Sequence, residues 1–251
     1  MRRLLILPAL CLLFAVGARA DDCEYSEPRD IDIELDGATR ARIEATAGFL
    51  HIRGQKGLDR VEVRGTACAE RRSDLEIVHL TVDRRGDEIR ILAKIDDHGS
   101  WHNGPWLDLT IAVPGDLALE VRDGSGEIEA FDIGSIDLED GSGEVVLERV
   151  HGDVRIEDGS GALDVRDVDG MVLVANDGSG EITIRGARRD VEIRRDGSGG
   201  IDISDVDGNV WIGSDGSGSI RAAHVAGDFL VRNDGSGGIS FAAIGGRVEV
   251  P

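Results

Sequence analysis

The tetrapeptide Asp-Gly-Ser-Gly occurs seven times in this chain, beginning at Asp123, Asp140, Asp158, Asp177, Asp196, Asp215 and Asp234. The steps between these positions are 17, 18, 19, 19, 19 and 19 residues. A near-constant period of this length marks a repeat architecture, in which one unit is too small to bury its own apolar face and does so by stacking on its neighbours.

The residues between the tetrapeptides say what the unit is. Counted from each Asp as zero, positions five and seven are apolar in every repeat, as in Ile182 and Ile184, Ile201 and Ile203, or Ile239 and Phe241. Position ten is apolar too, and so are fourteen and sixteen, as in Val191 and Ile193 or Val210 and Ile212. A spacing of two is the period of a strand with one face in and one face out. Each repeat therefore holds two short strands and two turns, one at Asp-Gly-Ser-Gly and one near position twelve, where Gly152, Gly170, Gly208, Gly227 and Gly246 fall. The expected fold is all-β: a right-handed parallel β-solenoid with two short strands per coil of about 19 residues. Residues 123–251 supply seven coils, stacked about 4.8 Å apart.

Residues 21–122 alternate less regularly, at Ile31, Ile33 and Leu35, then Val61 and Val63, then Leu107, Leu109, Ile111 and Val113. A hairpin is expected over Leu80 to Ile95, turning at Arg84-Arg85-Gly86-Asp87. This part reads as an irregular β cap with the first coils, because a terminal repeat must cover the open end of the core. At the other end the last coil leaves an edge that invites pairing with a second copy.

Residues 1–20 read as a cleaved signal peptide: Arg2 and Arg3, an apolar run from Leu4 to Val16, then Ala18-Arg19-Ala20. Export to the periplasm or the cell exterior is expected, with no membrane insertion. The chain carries 28 basic and 49 acidic residues, a net charge of −21. Removing the leader takes away Arg2, Arg3 and Arg19, so the remainder stands at 25 − 49 = −24. Such a chain has no basic surface for nucleic acid and is repelled by anionic lipid. Cys11 leaves with the leader, and Cys23 and Cys68 remain as a pair for which a disulfide is expected in an exported chain.

A leader, a short Cys-containing stretch, alternating strands, the passage WLDLTIAVPGDLALEVRDGSGEI from Trp106 to Ile128, and coils punctuated by Gly-Ser-Gly together resemble the bacterial putative-adhesin family. That family of exported domains is related to the head-GIN-type β-helix domains. The resemblance covers most of the chain beyond the leader. It implies a β-helical fold and a cell-envelope or surface protein, and it brings no catalytic residues to carry over.

The repeated Asp has two readings. In the first it turns a corner: Gly at positions one and three supplies positive φ, and the carboxylate accepts N–H groups two or three residues on. In the second, coils in register line up Asp123, Asp140, Asp158, Asp177, Asp196, Asp215 and Asp234 along one edge as a Ca²⁺ ladder. Neighbouring charges about 4.8 Å apart repel by roughly 0.9 kcal/mol in water and about 3.5 kcal/mol at an effective dielectric of 20. Ca²⁺ between coils would relieve that repulsion. The other turn adds Asp167, Asp169, Asp205 and Asp207. No other cofactor is expected.

Further groups carry weaker signals. Asp96, Asp97, His98 and His102 could ligate Zn²⁺ or Cu²⁺ but read as a solvated loop beside Gly99, Gly104 and Pro105. Trp101 and Trp106 could stack on a sugar, or pack over the cap. Arg85-Gly86-Asp87 spells an integrin-type tripeptide in a chain rich in all three residues. No nucleophile elbow is present. The sequence thus points to a non-enzymatic, adhesin-like scaffold or binding module of the cell envelope, its partner a surface protein or glycan. The alternative is a Ca²⁺-binding, β-roll-like protein, and last an envelope polysaccharide hydrolase or lyase.

Overall fold

The structure, a computed structural model, describes residues 23–96 and 104–251. The leader and the candidate ligands Asp97, His98 and His102, with Trp101, lie outside the described residues. The chain begins with β1 (Tyr25–Glu34), β2 (Arg40–Glu44), β3 (Leu50–Gln55), β4 (Arg60–Ala69), a 3₁₀ turn at Arg72–Ile77, β5 (Val78–Arg85), β6 (Glu88–Ile95) and β7 (Trp106–Pro114). Strands β8 (Ala118–Asp123), β9 (Ile128–Phe131), β10 (Ile136–Asp140), β11 (Val145–Val150), β12 (Val154–Asp158) and β13 (Leu163–Val168) follow. The rest are β14 (Val172–Asp177), β15 (Ile182–Ala187), β16 (Val191–Ile193), β17 (Ile201–Val206), β18 (Val210–Asp215), β19 (Ile220–Val225), β20 (Phe229–Asp234), β21 (Ile239–Ile244) and β22 (Val248–Glu249).

From β8 onward the strands alternate between two sheets, and each pairs in parallel with its equivalent one coil away. Equivalent residues lie side by side: Ile182 next to Ile201, then Ile220, then Ile239 in one sheet. Val172, Val191, Val210 and Phe229 do the same in the other. The inward residues are the β-branched and Leu positions picked out by the period of two, and they form one continuous buried core between the sheets. The seven-coil β-solenoid expected from the repeat is the architecture found.

Stacking reaches beyond the tetrapeptides in an order the chain does not follow. Strand β2 lies between β8 and β6, and β3 lies between β9 and β7. The coil made by β2 and β3 therefore sits directly on the first Asp-Gly-Ser-Gly coil, although β4 to β7 intervene in sequence. Antiparallel pairing of β1 with β4, β4 with β7 and β5 with β6 then closes the stack. The β5–β6 hairpin is the one expected, with Gly86 at a φ of 65° in its turn. The expected disulfide joins Cys23 to Cys68, with their Cα atoms 5.4 Å apart, and ties the start of β1 to β4. At the far end the core is less covered: Phe241 is 48% exposed, its ring centroid 6.0 Å from that of Phe229.

Of the two glycines of each tetrapeptide, the second acts as expected and the first does not. Only the second has positive φ, from 137° at Gly126 to 150° at Gly237. A Cβ on Gly199 would fall 1.5 Å from the Gly180 carbonyl oxygen of the coil before it. The first glycine lies outside the positive-φ region and is required by close approach alone, since a Cβ on Gly197 would lie 2.3 Å from the Gly178 oxygen. The second turn holds a column the sequence does not advertise. Position nine is left-handed in every repeat: Asp132, Arg149, Asp167, Gly186, Asp205, His224 and Ala243 have φ between 53° and 77°.

Two outcomes follow for stability. Gly199→Ala places a methyl group inside backbone and should cost more than ~3 kcal/mol, beyond an ordinary core substitution. Urea unfolding of the purified variant measures this, and a loss under 1 kcal/mol, within the range of a surface change, would remove the stacking explanation. Reducing Cys23–Cys68, which closes a separation of 45 residues, should lower stability by roughly 4 kcal/mol in the chain-entropy model.

Candidate functional site: an interior column of carboxyl groups

The repeated Asp does not stand on an outer edge. Its side chain faces the core. In β10, Ile136, Leu138 and Asp140 are buried while Asp137 and Glu139 are exposed. Asp123 and Asp158 continue the period of two in the same way. In the 19-residue coils Asp177, Asp196 and Asp215 stand three residues after the last inward aliphatic residue, and a bulge absorbs the extra residue. Its first appearance is the register shift between Ile156 and Glu157, after which Glu157 faces Asn176 and Asp158 faces Asp177. The growth of the coil from 18 to 19 residues is thus a bulge that keeps the carboxyl group inside.

Burial is nearly complete: Asp158, Asp177, Asp196 and Asp215 are 1–3% exposed, Asp123 8% and Asp140 7%. Both carboxyl oxygens of all six lack a hydrogen-bond partner, as does Oδ1 of the half-buried Asp234. Gly and Ser amides of their own turns approach Asp140, Asp158 and Asp196 and favour the ionised form, but short of full hydrogen-bond geometry, and Asp158, Asp177, Asp196 and Asp215 face one another closely enough to share protons. The Asx contact expected at this corner is present only as an approach of the Ser amide two residues on, at Asp140, Asp158, Asp196 and Asp215, without the geometry of a full hydrogen bond. Adjacent members lie side by side in register, Asp158 with Asp177, Asp177 with Asp196 and Asp196 with Asp215.

Burial without partners disfavours the charged form. Burial pushes Asp123 up to about 6. Burial and then the charges of Asp158 and Asp123 push Asp140 up to about 7. Asp177, buried between Asp196 and Asp158, is pushed up to about 8, and Asp215 to about 6. Asp158 and Asp196 are also raised, chiefly by burial.

The acids of the second turn are satisfied. Asp153 Oδ1 accepts the Met171 N–H at 2.8 Å, Asp190 Oδ1 that of Asn209 at 2.7 Å, and Asp228 Oδ1 that of Arg247 at 2.7 Å. Asn209 Oδ1 takes the Asp228 N–H at 2.8 Å. Of the other predicted candidates, Asp169 lies 3.0 Å from Arg188 and 3.2 Å from His151, and Asp205 lies 3.3 Å from His224. Asp167 and Asp207 border the same shallow turn. Asp96 is paired with Lys94 and His79. Trp106 donates its Nε1–H to Asp108 at 3.1 Å.

One group was missed by sequence reading. His51, Glu127 and Glu129 bring ligand atoms within 4.8 Å of one another, with the Phe49 ring stacked 4.4 Å from that of His51. They meet because β3 pairs with β9, and nothing local in the sequence signals that adjacency. A cavity of about 510 Å³ opens between Gly54, Lys56, Asp116, Asp132 and His151. Its acids do not converge on a common point, since Asp132 is held by Arg149 through two hydrogen bonds of 2.6 and 3.0 Å.

The fold has solved counterparts. A putative lipid binding protein from Parabacteroides distasonis is 17% identical, with a TM-score of 0.51 over 91% of this chain and 98% of its own. A putative adhesin from Parabacteroides merdae is 14% identical, TM-score 0.47, over 90% and 97%. One from Bacteroides fragilis is 14% identical, TM-score 0.43, over 90% and 97%. At 17% identity the likeness to the first of these is one of fold alone. No family profile and no curated protein matches the chain.

The raised carboxyls give a pH dependence of unusual sign. Above the ordinary carboxylate range and up to about pH 8, the folded column holds protons that the unfolded chain has released. Stability therefore falls as pH rises through that window. Asp123 alone, moved from 3.8 to about 6, contributes on the order of 3 kcal/mol to the decline. Thermal unfolding in EDTA should show a midpoint several degrees higher at pH 5 than at pH 8. A midpoint that rises with pH would show the carboxyls to be solvated or paired.

Proposed function

We propose that the chain is a non-enzymatic, adhesin-like binding scaffold of the bacterial cell envelope, exported by its leader. The observation that carries this reading is the pair of continuous outer sheet faces, on which charged side chains are tied coil to coil. Arg122 lies 3.3 Å from Glu139, Arg155 lies 3.5 Å from Asp137, and Arg221 lies 3.5 Å from Asp202. Such pairs contribute little to stability. They do set a regular pattern of charge along a face that can meet an extended partner, a surface protein or a glycan. Among the described residues no helix is long and apolar enough to cross a membrane.

The strongest anchor on these faces is Trp211. It is half-buried on the outward side of β18, in register with Glu192 on one side and Leu230 on the other. It borders an opening with Leu230, Arg232, Arg247 and Val250. An aromatic ring ringed by Arg and apolar groups has the composition of a binding hot spot.

The test is saturable binding of fluorescently labelled protein to intact bacteria, envelope fractions and a glycan array. Specific binding is expected, with Trp211→Ala weakening it about tenfold, the scale of a single hot-spot residue. Absence of saturable binding to all three, across salt and Ca²⁺ concentrations, would overturn the proposal.

A further inference from the structure

We propose that the interior column of carboxyl groups is a calcium site, in which Ca²⁺ ions held between the carboxylates of successive coils neutralise the column and lock coil to coil. This does not depend on the binding role above.

The column lacks what a purely structural carboxylate needs. Twelve oxygens of Asp123, Asp140, Asp158, Asp177, Asp196 and Asp215 are buried without a hydrogen bond of good geometry; the polar groups turned toward them are amides of their own turns and, from Asp158 to Asp215, the carboxyls of the neighbouring coils. The second turn shows how this fold satisfies an acid that only turns a corner: Asp153, Asp190 and Asp228 each accept a backbone N–H from the next coil. Among the described residues no buried cationic side chain balances the column. The only other buried charged side chain among the described residues is Glu88, which pairs with the exposed Arg40 and the half-buried Arg90.

Donor chemistry selects the ion. All the donors are hard oxygens, with neither imidazole nor thiolate, which favours Ca²⁺ or Mg²⁺ over transition metals. Mg²⁺ keeps several waters in a strict octahedron, and a buried column has little room for them. Ca²⁺ accepts irregular sets of carboxylate and carbonyl oxygens at about 2.3–2.6 Å. Twice that distance spans the coil spacing of about 4.8 Å. One Ca²⁺ balances two carboxylates, so seven Asp call for about three ions per chain.

The ends of the column fit a site with one entrance. Glu44 pairs with Arg122, so the next corner, Ala45-Thr46-Ala47-Gly48, sets Ala45 beside Asp123 and ends the column with a methyl group. At the opposite end Asp234 is only half-buried.

The experiment is calorimetric titration of the EDTA-stripped chain with CaCl₂ at pH 7.5, with thermal unfolding in EDTA and in about 2 mM Ca²⁺. Binding of about three ions is expected, with a rise in midpoint of several degrees that Mg²⁺ at the same concentration does not match. The double variant Asp177→Asn/Asp196→Asn should remain folded, because it replaces two buried ionisable carboxyls with neutral amides of the same shape. In EDTA at pH 8 it should match or exceed the parent midpoint, while losing about one ion and most of the Ca²⁺-induced shift. Glu127→Gln/Glu129→Gln, which dismantles the exposed group around His51, should leave both unchanged. Three results would overturn the proposal. One is no uptake of Ca²⁺ with stability governed by pH alone, which would leave a proton-sharing column. The second is an equal response to Mg²⁺. The third is loss of binding in the Glu127/Glu129 variant with retention in the Asp177/Asp196 variant.

Discussion

The structure depends on one constraint, the parallel in-register stacking of coils through backbone hydrogen bonds. Once each coil lies about 4.8 Å from the next, every residue has its own equivalent as its nearest neighbour. Aliphatic positions gain from that rule, because Ile on Ile and Val on Val fill a continuous core. Glycine is imposed by it, since the corner brings backbone onto backbone, with a Cβ on Gly180 due 1.5 Å from the Gly161 oxygen. Charged positions are penalised by it, and the way each column of acids is treated becomes informative.

The two corners of the coil treat their acids in opposite ways. At the second turn a carboxylate or amide accepts the N–H of the next coil, so Asp190, Asn209 and Asp228 extend the backbone ladder sideways. At Asp-Gly-Ser-Gly the carboxyl groups are turned inward, where burial raises Asp140 to about 7 and Asp177 to about 8. A sequence that keeps an acid at such a position in seven successive repeats accepts a large desolvation cost at the six that are buried, Asp123 to Asp215. The bulge that appears as coils lengthen from 18 to 19 residues preserves that inward placement.

Much of the fold was legible. The period of two at positions five and seven, and fourteen and sixteen, fixed the strands, and the repeat length fixed the stacking. The side on which Asp falls was harder to read. Leu119, Val121 and Asp123 keep a strict alternation, whereas Val174 to Asp177 breaks it by one residue, and without the bulge the later Asp positions read as outward. The left-handed column at position nine was hidden because its residues share no chemistry: Asp132, Arg149, His224 and Ala243 adopt the same φ under backbone constraint. The position of the β2–β3 coil, between β8 and β6 in one sheet, and with it the meeting of His51 with Glu129, follows from a non-sequential stacking order that no local pattern encodes. The second glycine of the tetrapeptide was read correctly as a positive-φ residue, while the first is fixed by close packing that only the stacked coils reveal.

The central claim, that the repeated carboxyl groups lie inside the solenoid, is tested most directly by carboxyl footprinting. The folded chain would be treated with a water-soluble carbodiimide and an amine, then digested and read by mass spectrometry. Asp158, Asp177 and Asp196 should stay unmodified until the chain is unfolded, while the exposed Asp137 and Asp207 react at once. Modification of all five at similar rates in the folded chain would place the carboxyl groups on the surface and contradict the account.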